Sequence, residues 1–100
     1  MPTRIELCGR LMQAPELRTT PAGTPLLRLM VDCGAPGSEL ALSVVMAGER
    51  ARTLAVSLRP GGEVRVTGSL HAVRGRTRGG LVQAAVEVVA GEITPADEPS

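Results

Sequence analysis

Residues 40–70, LALSVVMAGERARTLAVSLRPGGEVRVTGSL, decide the fold. The apolar run at 40–47 and the alternating residues that begin at Val64 each predict a β-strand. The segment between them, 49–58, has the spacing of an amphipathic helix, with an apolar stripe at Ala51, Leu54, Ala55 and Leu58. The Pro-Gly-Gly at 60–62 ends that helix. One short helix therefore separates two strands.

Alternation of apolar and polar residues continues on both sides of this stretch. Further strands are predicted at 4–12 and 26–33 before it, the strand that begins at Val64 runs to Val73, and a last strand follows at 81–93. Predicted inward positions are Ile5, Leu7, Gly9, Leu11, Leu27, Leu29 and Val31. A glycine inside the first strand is typical of a sharp coil, where one strand serves two sheets. Pro15 and the segment 20–25 predict turns.

The element order predicts an all-β fold. Five short strands with one short helix between strands 3 and 4 favour a partly open five-stranded Greek-key barrel, the OB-fold. The chain has 100 residues, which is the length of one domain. We expect the barrel to occupy residues 1–94 and a short polar acidic tail to follow at 95–100.

Two features of the composition narrow the function. The chain has no Phe, Trp or Tyr, so its core must be built from smaller apolar residues, and burial of a further face in a homodimer would help it. All eleven basic residues are Arg. The segment 64–86 holds four of them and no acidic residue, whereas every charged residue in 87–100 is acidic. Such local concentration of charge indicates a polyanionic partner.

Other classes of protein are not indicated. No apolar run approaches the roughly 18 residues of a membrane span, and the N-terminus lacks a secretory signal pattern, so we expect no membrane association and a cytoplasmic location. The two cysteines, Cys8 and Cys33, are predicted to be buried thiols. With His71 as the one histidine, no metal site, cofactor site or catalytic nucleophile is predicted, and His71 is expected on the barrel surface.

Several segments resemble, in chain order, the bacterial single-stranded DNA-binding proteins, an OB-fold superfamily. They are residues 5–33, 44–51 (VVMAGERA), 60–70 (PGGEVRVTGSL) and 86–89 (VEVV). Within that superfamily, the Ala14-Pro15 pair, the Pro21-x-Gly23-x-Pro25 turn and the length are similar to the primosomal replication protein N (PriB) family. This resemblance implies a homodimer that binds single-stranded DNA and contacts the primosome helicase PriA and the loader DnaT in replication restart.

The candidate DNA-binding residues are Arg18, Arg28, Arg74, Arg76 and Arg78. The last three lie in a flexible basic loop predicted at 74–80, where alternate arginines can follow a phosphate backbone, and the resemblance gives this loop the same role. Arg28 is predicted on the outward face beside Leu26 and Met30. The role of Arg18 in DNA binding is implied by the resemblance alone. The competing interpretations are a solvated hairpin tip for the loop, a cross-strand ion pair for Arg28 and an ion pair with Glu16 for Arg18.

These residues are compatible with three functions. The first is a PriB-like accessory factor that holds single-stranded DNA in an Arg-lined groove. The second is a protein–protein adaptor of the primosome, because Ala41, Ala47 and Gly75 stand where the superfamily presents aromatic rings for stacking. The third is a divergent general single-strand binder. No enzymatic activity is expected in any of the three.

Overall fold

The strands and the helix follow the predicted order. The computed structural model describes residues 3–76 and 82–95, with the backbone alone at 73–76 and 82–85. The elements are β1 (Thr3–Leu11), β2 (Glu16–Thr19), β3 (Pro25–Asp32), β4 (Ala41–Ala47), α1 (Arg50–Ser57), β5 (Glu63–Arg76) and β6 (Val82–Pro95). They form one sheet in the order β1-β5-β6-β4-β3-β2, and β1 also pairs with β3. This second pairing closes the sheet into a barrel, and the fold is an OB-fold.

Strand β1 closes the barrel because it pairs on both sides near its C-terminal end. It runs antiparallel to β5 from Thr3 to Arg10, and Arg10 and Leu11 also pair with β3. The crossing brings β1 very close to β3 at Gly9. A Cβ atom on Gly9 would lie 2.5 Å from the carbonyl oxygen of Asp32 and 2.6 Å from Cγ1 of Val31. The predicted coil in the first strand therefore exists, and it requires glycine.

The core is entirely aliphatic. Alternate residues of the strands point inward, so the inward residues predicted for β1 and β3 are confirmed. The buried side chains are Leu11, Leu27, Leu29, Val31, Val44, Met46, Ala51, Leu54, Leu58, Val64, Val66, Val88, Ala90 and Ile93. Leucine and valine bury less area than an aromatic ring, so the barrel depends on close packing of many small groups.

Helix α1 packs its predicted apolar stripe on the barrel. Ala51 and Leu54 are buried, Leu58 follows the last turn into the core, and the helix contacts β2, β3 and β4. The exposed side of α1 carries Arg50 and Arg52. No helix in the described part of the chain has the length and apolar character that crossing a bilayer would require.

A short strand that the alternation pattern did not predict, β2, pairs with the start of β3. The turn at 20–24 makes this possible, because the Thr20 amide donates to the Thr24 carbonyl at 2.9 Å and the Gly23 amide donates to the Thr20 carbonyl at 2.8 Å. Gly23 has φ of +88°, which favours glycine. The turn thus folds β2 back onto β3 as a hairpin. It adds a sixth strand to the five that were predicted.

The β5–β6 hairpin is longer than predicted. Pairing between the two strands continues through Arg74 opposite Ala84 and Arg76 opposite Val82. The predicted loop at 74–80 is therefore wrong at its beginning, because pairing with β6 extends β5 through Arg76. Arg74 and Arg76 occupy alternate positions of β5, whereas Arg78 lies outside the described residues.

Candidate nucleic-acid interface

One outer surface of the barrel carries two of the five predicted site residues. We call it the β2–β4 face, and it consists of the outward-pointing residues of β2, β3 and β4: Glu16, Arg18, Leu26, Arg28, Met30, Asp32, Ala41, Ser43, Val45 and Ala47. These residues share a face because successive side chains of a strand point to opposite sides of the sheet. The next strand, β6, continues the surface with Glu87 and Val89, which pair with Ser43 and Val45.

The two arginines are close neighbours on the β2–β4 face. In the β2–β3 register, Arg18 lies opposite Leu26, and Glu16 lies opposite Arg28. Arg18 and Arg28 are therefore diagonal neighbours, which in an antiparallel pair puts their Cα atoms about 7–8 Å apart. Both side chains are exposed. Two arginines that are neighbours on one face can both contact the phosphates of a single strand.

Arg18 has an acidic partner, whereas Arg28 has none in the part of the chain that the structure describes. The Arg18 Nε atom lies 2.9 Å from Oε1 of Glu16, so the predicted alternative of an ion pair with Glu16 is present. Glu16 also faces Arg28 across the ladder, yet among residues 3–76 and 82–95 Arg28 forms no salt bridge. The predicted cross-strand ion pair of Arg28 is therefore absent from this part of the chain.

The middle of the β2–β4 face is aliphatic. Leu26, Met30 and Val45 are half-buried around Arg28, and exposed Ala41 and Ala47 lie at opposite ends of β4. No aromatic ring exists to stack against a base. Stacking contributes about 1–3 kcal/mol per base in single-strand binding, so any nucleic acid here is held chiefly through its phosphates.

The β2–β4 face and its continuation on β6 also carry carboxylates. Glu16 pairs with Arg18, and Glu87 accepts a hydrogen bond from the Ser43 hydroxyl at 3.5 Å. His71 lies opposite Glu87 on β5 and is exposed, as predicted. This surface therefore carries carboxylates as well as arginines.

A third carboxylate, Asp32, organises the loop at 33–40. Its Oδ1 atom accepts hydrogen bonds from the amides of Gly34 and Leu40, each at 3.0 Å. The tip of the loop is a tight turn in which the Ser38 amide donates to the Ala35 carbonyl at 2.9 Å and Gly37 has φ of +81°. These two amide hydrogen bonds stabilise the charged carboxylate, so they lower the pKa of Asp32 below 3.8.

The loop at 33–40 should therefore lose order in acid. A carboxyl whose pKa is lower in the folded protein contributes stability above its unfolded pKa and loses it as the pH falls through the folded value. We expect the amide resonances of Gly34 and Leu40 to shift together in an NMR titration, with a common midpoint below pH 3.8. The Asp32→Asn variant should lack this transition, and separate midpoints for the two amides would contradict the shared carboxylate.

The two cysteines and Arg65 lie on or beside β1. Cys8 is exposed and Cys33 half-buried, so the prediction of buried thiols is wrong for Cys8, which shares the outward phase of β1 with Arg10. Arg65 lies opposite Cys8, and a hydrogen bond to the Cys8 sulfur, with the negative charges of the Cys8 thiolate and Glu6, raises the pKa of this arginine. Within 3–76 and 82–95, no three His, Cys, Asp or Glu side chains could hold a metal ion.

The fold agrees with what comparison to known proteins finds. The model of the single-strand binding protein family matches residues 2–96, which include all six strands and α1. A search of curated proteins returns no significant match. Members of this family are non-enzymatic proteins that bind single-stranded DNA through an OB-fold. Since the match covers almost the whole chain, the protein belongs to the single-strand binding protein family.

Proposed function

We propose that this protein is a PriB-like accessory factor of the cytoplasmic primosome, which holds single-stranded DNA and assists helicase loading by PriA and DnaT. Its mode of binding is electrostatic. The observation that supports electrostatic binding of DNA is the pair Arg18 and Arg28, which are diagonal neighbours on an OB-fold face that has no aromatic residue. A face of this kind binds any sequence of bases, because phosphate contacts carry no sequence information.

The test is a titration of fluorescently labelled oligo-dT, about 30 nucleotides long, which exceeds the roughly 4–16 nucleotides that one OB-fold covers. Anisotropy measured at two salt concentrations should show binding that weakens steeply with salt, because each phosphate contact releases counterions. A triple variant, R74A/R76A/R78A, should bind more weakly if the hairpin contributes. No binding of the wild-type protein at low salt would overturn the proposal.

We further propose that the protein is a homodimer that pairs through β1. Residues 3–9 of β1 have β5 on one side, and within the described residues no strand lies on the other side. An open edge of this kind pairs readily with a second strand. A two-fold axis at Ile5 would place Arg4 of each protomer opposite Glu6 of its partner, and opposite charges across a ladder stabilise it.

The dimer predicts a solution mass of about 21 kDa, twice the 10.4 kDa of the chain. Light scattering should give this value for the wild-type protein. The variant E6R places like charges across the proposed interface and should shift the population towards monomer, whereas R4E/E6R restores opposite charges and should recover the dimer. A tetramer would favour a general single-strand binder, and a monomer would contradict the interface.

A primosome adaptor with little DNA affinity is the second candidate. The observation that favours it is the mixture of charges on this side of the barrel, where Glu16, Asp32 and Glu87 offset Arg18 and Arg28. A protein partner with its own mixed charges fits such a surface better than a polyanion does. Capture of purified PriA that persists after nuclease treatment, together with negligible oligo-dT binding, would support this candidate.

A further inference from the structure

The Glu16 carboxylate occupies the position that a phosphate would take at Arg18. Its Oε1 atom lies 2.9 Å from Nε of Arg18, which is the distance of a charge-assisted hydrogen bond. Both groups remain in contact with solvent, since the Arg18 side chain is 71% exposed and that of Glu16 47% exposed. Exposed ion pairs are weak, so a polyanion can replace this carboxylate.

The β2–β3 register also sets Glu16 against the second arginine. Glu16 lies directly opposite Arg28, which places their Cβ atoms about 4.5–5.5 Å apart. A single negative charge therefore sits between the two arginines that face the nucleic acid. The short strand β2 holds it there, because Glu16 and Arg18 are two residues apart and point to the same side.

We propose that Glu16 is an internal competitor for phosphate, which holds the Arg18 guanidinium until a DNA phosphate takes its place. This inference rests on the proposed function. An isolated phosphate gains little by the exchange, whereas a single strand that also contacts Arg28 gains a second ion pair. Glu16 therefore favours a continuous phosphate chain over free nucleotides, and it keeps the bound strand easy to release.

The variant E16Q tests the proposal, because glutamine keeps the shape of the side chain and removes its charge. Affinity for oligo-dT at low salt should rise about 3- to 10-fold, because a phosphate no longer has to displace a carboxylate. The slope of log K against log salt should change by less than about 0.7, the value of one phosphate contact on single strands, since Arg18 contacts phosphate in both proteins. The matched control is E49Q, which breaks the Glu49–Arg52 ion pair of 3.2 Å on α1 and changes the net charge equally. Its affinity and salt slope should stay close to those of the wild-type protein.

The R18A background separates competition from simple repulsion. If Glu16 acts by holding Arg18, E16Q should add little affinity to R18A, whereas an undiminished gain in R18A would overturn the proposal. Equal affinities of E16Q and wild type, with Arg28-dependent binding intact, would overturn it while the proposed function stands. Failure of both proteins to bind at low salt would overturn the two together.

Discussion

Replacement of Arg18 and Arg28 together by alanine is expected to lower affinity for oligo-dT about 10- to 30-fold at low salt, because two charge-assisted contacts to phosphate are lost. The slope of log K against log salt should fall by about 1.4, which corresponds to two fewer phosphate contacts on a single strand. Arg28 should account for the larger share, since it has no salt bridge to break within the described chain. Anisotropy titrations over a salt series measure both quantities.

The control for this loss is a double variant with the same change in net charge. R50A/R52A removes two exposed arginines from α1, which packs its other side on the barrel core and contributes nothing to the β2–β4 face. Its affinity should fall no more than a few-fold through long-range electrostatics, which salt screens. Equal losses in the two double variants would show that binding depends on total charge and not on this face.

Replacement of Gly9 by alanine is expected to destabilise the barrel by about 2 kcal/mol and to lower its melting temperature by roughly 10 °C. The new methyl group would lie 2.5 Å from the Asp32 carbonyl oxygen, closer than any Cβ atom approaches backbone. Relief requires β1 to move away from β3, which weakens the pairing of Arg10 and Leu11 that closes the barrel. Thermal denaturation followed by circular dichroism measures the change.

Gly91→Ala is the matched control for this variant. A Cβ atom on Gly91 would meet only the Thr67 carbonyl oxygen, at 3.9 Å, which is ordinary van der Waals contact. The same chemical change should therefore cost far less at Gly91 than at Gly9. Equal melting temperatures for the two variants would show that β1 can shift away from Asp32 without loss of stability.

The main features of the fold could be read from apolar periodicity. Helix α1 and the inward phases of β1 and β3 follow directly from the spacing of leucines and valines, since burial of these residues drives folding. Strand β2 could not be read in this way, because all four of its residues are exposed. Its pairing depends on the hydrogen bonds of the turn at 20–24, which the sequence suggests only through Pro21 and Gly23.

The individual residues of the candidate site could be predicted from the sequence, but their positions relative to one another could not. Alternation placed Arg28 outward, and chemistry alone suggested a pair between Arg18 and Glu16. That Glu16 also lies opposite Arg28 follows from the β2–β3 register, which the turn sets. The alternation of the first strand also predicted an outward Cys8, yet the tendency of free cysteines to be buried suggested the opposite, and the strand phase decided the outcome.

Strand β1 pairs with both β5 and β3, and this affects how the chain folds. Strand β1 is synthesised well before its main partner β5, since Arg10 and Glu63 are separated by 53 residues. Until β5 has been synthesised, Ile5 and Leu7 have nothing to pair with along that edge, and the cost of closing so large a loop must be met before the contacts form. Refolding is therefore expected on the millisecond-to-second scale of proteins rich in non-local strand pairs, and nascent chains that end before β5 present an unpaired strand to chaperones.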